Sequence, residues 1–211
     1  MSMRAKTIVL LLLLPVTAIA YVALHKPPAK ANLEQMLREG DLVFQHINSP
    51  QSAALELATG SYWTHVGIAF KQQDRWMVLE AVGPVKATPL KNWLAQGDGG
   101  RCVAKRWKEL DAQALTRLRA SADRFMGLPY DLGFLWSDER IYCSELVWKM
   151  YQEGLGVRLC EPKAMREHDL QHDLVRRTML ERYGTAVPWD EPMIAPATLF
   201  DCPLLRTVAE V

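Results

Sequence analysis

The sequence predicts an α+β domain built on an antiparallel sheet. Three observations point there. Between residues 40 and 107, short strand-like segments follow one another, separated mainly by turn residues. From Asp111 onward the apolar spacing turns helical. The 25 Lys and Arg residues almost balance the 24 Asp and Glu in a 211-residue chain. No basic field marks the chain as a nucleic-acid binder. No repeat or low-complexity tract suggests an array.

The elements follow in order. "GDLVF", Gly40 to Phe44, reads as a turn entering a strand, and Ser49 to Thr59 as a helix. "THVGIAF", Thr64 to Phe70, alternates as a strand should, and "RWMVLEAV", Arg75 to Val82, follows across the turn "KQQD". "PLKNWLAQGDGG" is a short helix stopped by glycines. Arg101 to Trp107 returns as a strand. Asp111 to Met126 is an amphipathic helix carrying Leu115, Leu118 and Phe125. After the loop "GLPYD" and an irregular stretch holding Phe134 and Trp136, a last helix opens at Cys143. Its apolar positions are Leu146, Val147, Met150, Tyr151 and Leu155. The proline-rich tail from Pro188 to Val211 is expected to wrap the surface without regular structure.

Two parts are expected along the chain. Residues 1–26 carry basic Arg4 and Lys6, an apolar run from Ile8 to Leu14, and Ala18-Ile19-Ala20 in the small-x-small pattern of a cleavage site. They read as a signal peptide or an N-terminal membrane anchor. Either places residues 27–211, one domain with a core of its own, outside the cytoplasm. A retained anchor would also associate the chain with a membrane. Pro27-Pro28-Ala29-Lys30 is the linker between the two.

In an exported protein, the four cysteines 102, 143, 160 and 202 would by default form two disulfides. The position of Cys143 argues otherwise. Free N–H groups and the positive end of the dipole at a helix N-terminus stabilise an anion, and so favour a thiolate. With Cys143 reduced, at most one bridge remains, and Cys160–Cys202 is the pairing we expect.

A nucleophilic thiol wants a base, and a base wants an orienting group. Of the five histidines, His65 opens a strand beside Tyr62 and Trp63 and is the best-placed base; a packed core histidine is the competing reading. His46 is expected to face solvent. His168 and His172, four apart, resemble a helical metal pair that lacks a third ligand, so a solvated helix face is expected. Glu80 sits in an apolar strand where a carboxylate is costly unless paired. Antiparallel pairing with "HVGIAF" would bring it beside His65; otherwise it marks the strand's end and points to water.

"GDLVF", "THVGIAF", "VLEAV" and "YCSELV", in that order, together with "GLPYD", resemble the circularly permuted NlpC-type branch of the papain-fold cysteine hydrolases, most closely its YaeF/YiiX type. Lecithin:retinol acyltransferase is a more distant relative. The resemblance runs from about Gly40 to Gly154 and is loose beyond Cys160. The cysteine signature of papain itself is absent, and the histidine strand precedes the cysteine helix; a triad is defined by spatial roles, not by chain order. The resemblance implies a permuted papain-like fold with Cys143 as nucleophile, His65 as base and Glu80 as orienting carboxylate. Tyr142 would be a hydrogen-bond donor to the oxyanion or simply a packed aromatic. Tyr130, Asp131, Gly40 and Asp41 read as structural.

The implied activity is acyl transfer through a cysteine thioester, without metal or cofactor, on an amide or ester. The substrate would be a cell-wall peptide or a lipid-type acyl group. Tyr62, Trp63, Phe134 and Trp136 would line an acyl slot or be core. Two other classes remain: a non-catalytic lipid- or peptide-binding module on the same fold, and a disulfide-stapled structural domain. The state of the Cys143 thiol separates them.

Overall fold

The computed structural model describes residues 32–211, so the expected leader and linker lie outside the described residues. The elements run α1 (Leu33–Met36), β1 (Leu42–Gln45), α2 (Pro50–Thr59), β2 (His65–Gln72), β3 (Arg75–Ala81), β4 (Val85–Pro89), α3 (Leu90–Gln96), β5 (Val103–Trp107), α4 (Ala112–Ala122) and α5 (Cys143–Leu155). Then come β6 (Lys163–Ala164), α6 (Asp173–Tyr183), β7 (Pro192–Met193), α7 (Pro196–Phe200) and β8 (Leu205–Glu210). Six strands form one antiparallel sheet in the order β4-β3-β2-β1-β5-β8, and β6 pairs with β7 in a small ribbon. This is the α+β architecture that the sequence predicts.

Local chemistry sets the boundaries. Ser49 caps α2 by accepting the Ser52 N–H at 3.0 Å, Pro50 opens the helix, and Gly60 ends it in the left-handed region. Gln73 and Asp74, both at positive φ, make the two-residue turn that joins β2 to β3. Asp111 caps α4. That helix ends at Ala122, four residues before the expected Met126. Phe125 still enters the core, from a turn closed by its N–H to Ala122 O, whereas Met126 is exposed.

The sheet is covered on both faces. On one, Phe44, Val66, Ile68 and Leu79 pack against Leu118 of α4 and Leu146, Val147 and Met150 of α5. On the other, Val43, Ala69, Val78 and Ala104 pack against Leu33, Leu37, Leu90 and Trp93. The period-2 alternation of a strand sends neighbours to opposite cores.

Three expectations are corrected, and a fourth, the Cys160–Cys202 bridge, is not formed in this structure. The tail is not irregular: α7 starts on Pro196, and β8 extends the sheet by pairing with β5. A proline at a helix's first turn costs no hydrogen bond, and Thr207 and Val208 in "LRTVAE" favour a strand. His46 is buried, its Nδ1–H donating to Tyr62 O at 3.0 Å and its ring stacked on Tyr62. His168 and His172 share no helix face, because His168 follows a 3₁₀ turn and His172 is the N-cap of α6. All four cysteines are free thiols, Cys160 and Cys202 included.

Candidate active site

Cys143 is the first residue of α5 and is 3% exposed. The strand-like Tyr142 before it and the Glu145 carboxylate, which accepts the Tyr142 N–H at 3.3 Å, fix where the helix begins. His65 opens β2, beneath this helix start. Its Nε2 meets Glu80 Oε2 at 2.7 Å, which leaves the other ring nitrogen for its hydrogen bond with Cys143. Glu80 is fully buried, and its second oxygen accepts the Thr88 hydroxyl at 2.6 Å.

The sheet register explains how Glu80 reaches His65. Ile68 pairs with Leu79, so Gly67 lies opposite Glu80 and His65 is its diagonal neighbour. A Cβ on Gly67 would stand 2.4 Å from Val78 Cγ1 and 3.5 Å from Glu80 Cβ. The missing side chain leaves room for the carboxylate to lean along the sheet.

The electrostatics follow from this contact. Burial alone pulls the His65 pKa down, but hydrogen bonds and charge from Cys143 and Glu80 outweigh it and raise it to about 9. Burial pushes the Cys143 thiol up; the hydrogen bond and charge of His65, with the Val66 N–H, bring it below its ordinary value. The pair therefore favours thiolate and imidazolium.

The two tyrosines near Cys143 are held differently. Tyr142 is 1% exposed, and its hydroxyl accepts the Ile194 N–H at 3.1 Å, which ties it to the C-terminal segment and leaves its own proton to donate. Tyr130 is half-buried, packed against the clusters that contain Cys143 and Tyr142, and bridged to Ile141 by its backbone. Its hydroxyl accepts from Gln51 Nε2 at 3.0 Å, which leaves its own proton free to donate. Burial raises its pKa, and so does the neighbouring Cys143 charge. Asp131 is structural in kind: its carboxylate takes the N–H groups of Gly133 and Leu135, each at 2.7 Å. The Asp41 carboxylate is likewise held by Arg106.

The four aromatics expected to line one slot are dispersed. Tyr62 stacks on His46, Trp63 on Phe200, and Trp136 packs against Trp148. Phe134 alone lines an apolar cleft between α2 and α6, with Leu55, Met165, Met179 and Met193. Phe134, Met165 and Met193 also pack with Tyr142, so the cleft adjoins the start of α5. Sequence reasoning missed Thr88, Gln51 and the methionines; their types are common, and no local spacing ties them to Cys143. Among the described residues, no group of three or more His, Cys, Asp or Glu side chains could hold a metal ion. No described helix is long and apolar enough to cross a membrane.

Comparison with known proteins gives the family. The chain is 44% identical over 172 residues to YiiX of Escherichia coli K12, itself uncharacterized, covering 81% of this chain and 85% of that protein. A crystal structure of YiiX from Escherichia coli O157:H7, described there as a metalloprotein, is similar with a TM-score of 0.81 at 44% identity, over 83% of this chain and 98% of that one. Residues 36–209 match the model of the permuted papain-like amidases of the YaeF/YiiX type, the C92 family, and the chain belongs to that family.

Proposed function

We propose that this protein is an exported cysteine hydrolase that cleaves an amide or ester acyl bond through a thioester on Cys143. The observation that carries the reading is the continuous chain Thr88–Glu80–His65–Cys143, in which each group orients the next. The thiolate attacks the acyl carbon. The Cys143 N–H at the helix start and the Tyr130 hydroxyl hold the oxyanion, and Tyr142 serves the framework. His65 passes its proton to the departing amine or alcohol. It then takes a proton from water, which attacks the thioester, releases the acid and restores the thiol.

The substrate would be a peptide or lipid-type acyl group. The cleft beside Tyr142 supports an apolar acyl substituent, because methionines adapt to irregular chains. The N-terminal segment would export the domain and, if retained, hold it at a membrane. The YiiX crystal is described as that of a metalloprotein; among the described residues here no group of three or more His, Cys, Asp or Glu side chains could hold a metal ion, and both ring nitrogens of His65 are engaged.

The test is the pH dependence of Cys143 alkylation by iodoacetamide, read by peptide mass spectrometry in wild type and His65→Ala. The expected result is fast labelling well below pH ~8.5, the ordinary free-thiol value, that slows when His65 is lost. A panel of acyl esters and stem-peptide amides, with Cys143→Ala as control, then identifies the acyl group. Labelling like that of a free thiol in both proteins would overturn the hydrolase reading and leave a binding module on the same fold.

A further inference from the structure

Outside the catalytic chain, two other thiols face each other. Cys160 lies five residues beyond the end of α5 and is half-buried; Cys202 lies between α7 and β8. Both line one surface cleft, and their side chains are within hydrogen-bonding reach of each other. The Cys202 thiol also donates to the carbonyl oxygen of Leu159, so its sulfur is held against the backbone that carries Cys160. Cys160 is fixed in turn, because its carbonyl accepts Trp148 Nε1 of α5 at 2.7 Å. The other two cysteines are committed elsewhere. Cys143 belongs to His65, and Cys102 is fully buried in the core of the opposite sheet face.

We propose that Cys160 and Cys202 form a reversible dithiol–disulfide pair that locks the C-terminal segment onto the helix carrying Cys143. The reaction is exchange with a disulfide, either a low-molecular-weight one or that of a thiol–disulfide oxidoreductase. The half-exposed Cys160 passes its proton to Cys202 and attacks the incoming disulfide RSSR, forming a mixed disulfide and releasing RS⁻, which takes that proton back from Cys202 and leaves as RSH. Cys202 then attacks the Cys160 sulfur and expels the second RSH. Two protein thiols are oxidised to one S–S bond, and one RSSR is reduced to two thiols. The hydrogen bond to Cys202, and then burial, raise the Cys160 pKa. The hydrogen bond from Cys160, with the Leu204 and Leu205 N–H groups, lowers that of Cys202 to about 6, so Cys202 is the partner that takes the Cys160 proton; the backbone donors remain once Cys160 is engaged.

The location gives the bond a consequence. The segment between β7 and α7 already touches the start of α5 twice: Ile194 N–H donates to the Tyr142 hydroxyl, and Ile194 O accepts from Ser144 Oγ at 2.7 Å. A bond at Cys202 ties the far end of this segment to the far end of the same helix. It closes a loop spanning Cys160 to Cys202, and a cross-link of that span restricts the unfolded chain substantially.

The experiment treats the full-length protein with oxidised glutathione, quenches with acid, alkylates and maps peptides without reduction. The expected product is a Cys160–Cys202 cross-linked peptide pair, two hydrogens lighter than the separate thiol peptides, with Cys102 still alkylatable and Cys143 in no protein cross-link, as a free thiol or a glutathione adduct. Oxidised wild type should melt about 5 °C or more above its reduced form, and Cys160→Ser should show no such difference. In Cys202→Ser, a glutathione adduct should persist on Cys160, because its resolving partner is gone. Two thiols that both stay free, a stable glutathione adduct on wild-type Cys160, or a bridge to Cys143 would each overturn the pairing. A bridge that leaves the melting temperature unchanged would overturn the locking.

Discussion

Glu80 is an ionisable side chain with no exposure to water, set in a strand of apolar residues. Such a group is tolerated when both oxygens are satisfied, and here His65 takes one and Thr88 the other. Thr88 touches no reacting atom; it positions the carboxylate. Thr88→Val keeps the side-chain shape and removes that bond, so Glu80 gains freedom to turn away from the imidazole. A hydrogen bond to a charged group contributes about 1.5–3 kcal/mol, so the expected loss in kcat/KM is about tenfold to a hundredfold. A changed pH profile of Cys143 alkylation should accompany it, whereas a purely structural role would lower stability and leave that profile alone. Gly67, facing Glu80 across the register, belongs to the same arrangement, because any side chain there meets Val78.

At the scale of elements, α5 joins the chemistry to the core. Its residues from Cys143 to Tyr151 are all buried, which puts Glu145 and Lys149 inside the protein as a pair 2.8 Å apart. Burial raises the Glu145 pKa to about 7 against the pull of Lys149. Asp138 and Ser137 O share the Lys149 ammonium, and Asp131 adds negative charge near Glu145. A carboxyl group whose folded pKa is raised binds more protons in the folded state than in the unfolded state between the two values, 4.5 and about 7. Its contribution to stability is therefore complete below pH 4.5 and is lost as pH rises toward 7. The measurable consequence is a difference: urea midpoints of wild type minus Glu145→Gln should decline between pH 4.5 and 7 and level off above. A flat difference would show that Glu145 titrates normally.

This helix was legible in the sequence because its apolar spacing and its cysteine lie within a dozen consecutive residues. The β2–β3 hairpin was legible for the same reason: alternation and turn chemistry are local. The Gln51–Tyr130 contact joins positions 79 residues apart, and nothing local in "SPQS" marks a glutamine as its partner. The tail misled because its prolines suggest irregular chain, whereas Pro196 only starts a helix. His46 misled because the stacking partner that buries it, Tyr62, lies across a helix and a loop. The Met-rich cleft draws on α2, α6 and the loops between, so no single window of sequence contains it.

Across the whole molecule, the permuted order brings both ends of the described chain to the sheet and its two cores. β8 pairs with β5 at the edge of the sheet, and the stretch before it crosses to the start of α5. The two tyrosines near that helix start thus belong to different systems, one fastened by the returning C-terminal segment and the other by Gln51 of α2. Removing each hydroxyl separates framework from chemistry. Tyr142→Phe leaves the Ile194 N–H buried without its acceptor, which costs about 1–3 kcal/mol of stability, while the oxyanion keeps its donors. Tyr130→Phe strands no buried backbone group, so the melting temperature should hold. It takes a donor from the developing oxyanion, and loss of such a donor lowers kcat by about 10²–10³. The two variants should fall at opposite corners of a plot of stability against kcat, each measured with KM on the substrate found by the acyl panel. If Tyr142→Phe loses turnover at unchanged stability while Tyr130→Phe keeps it, the oxyanion donor is Tyr142 and the roles are reversed.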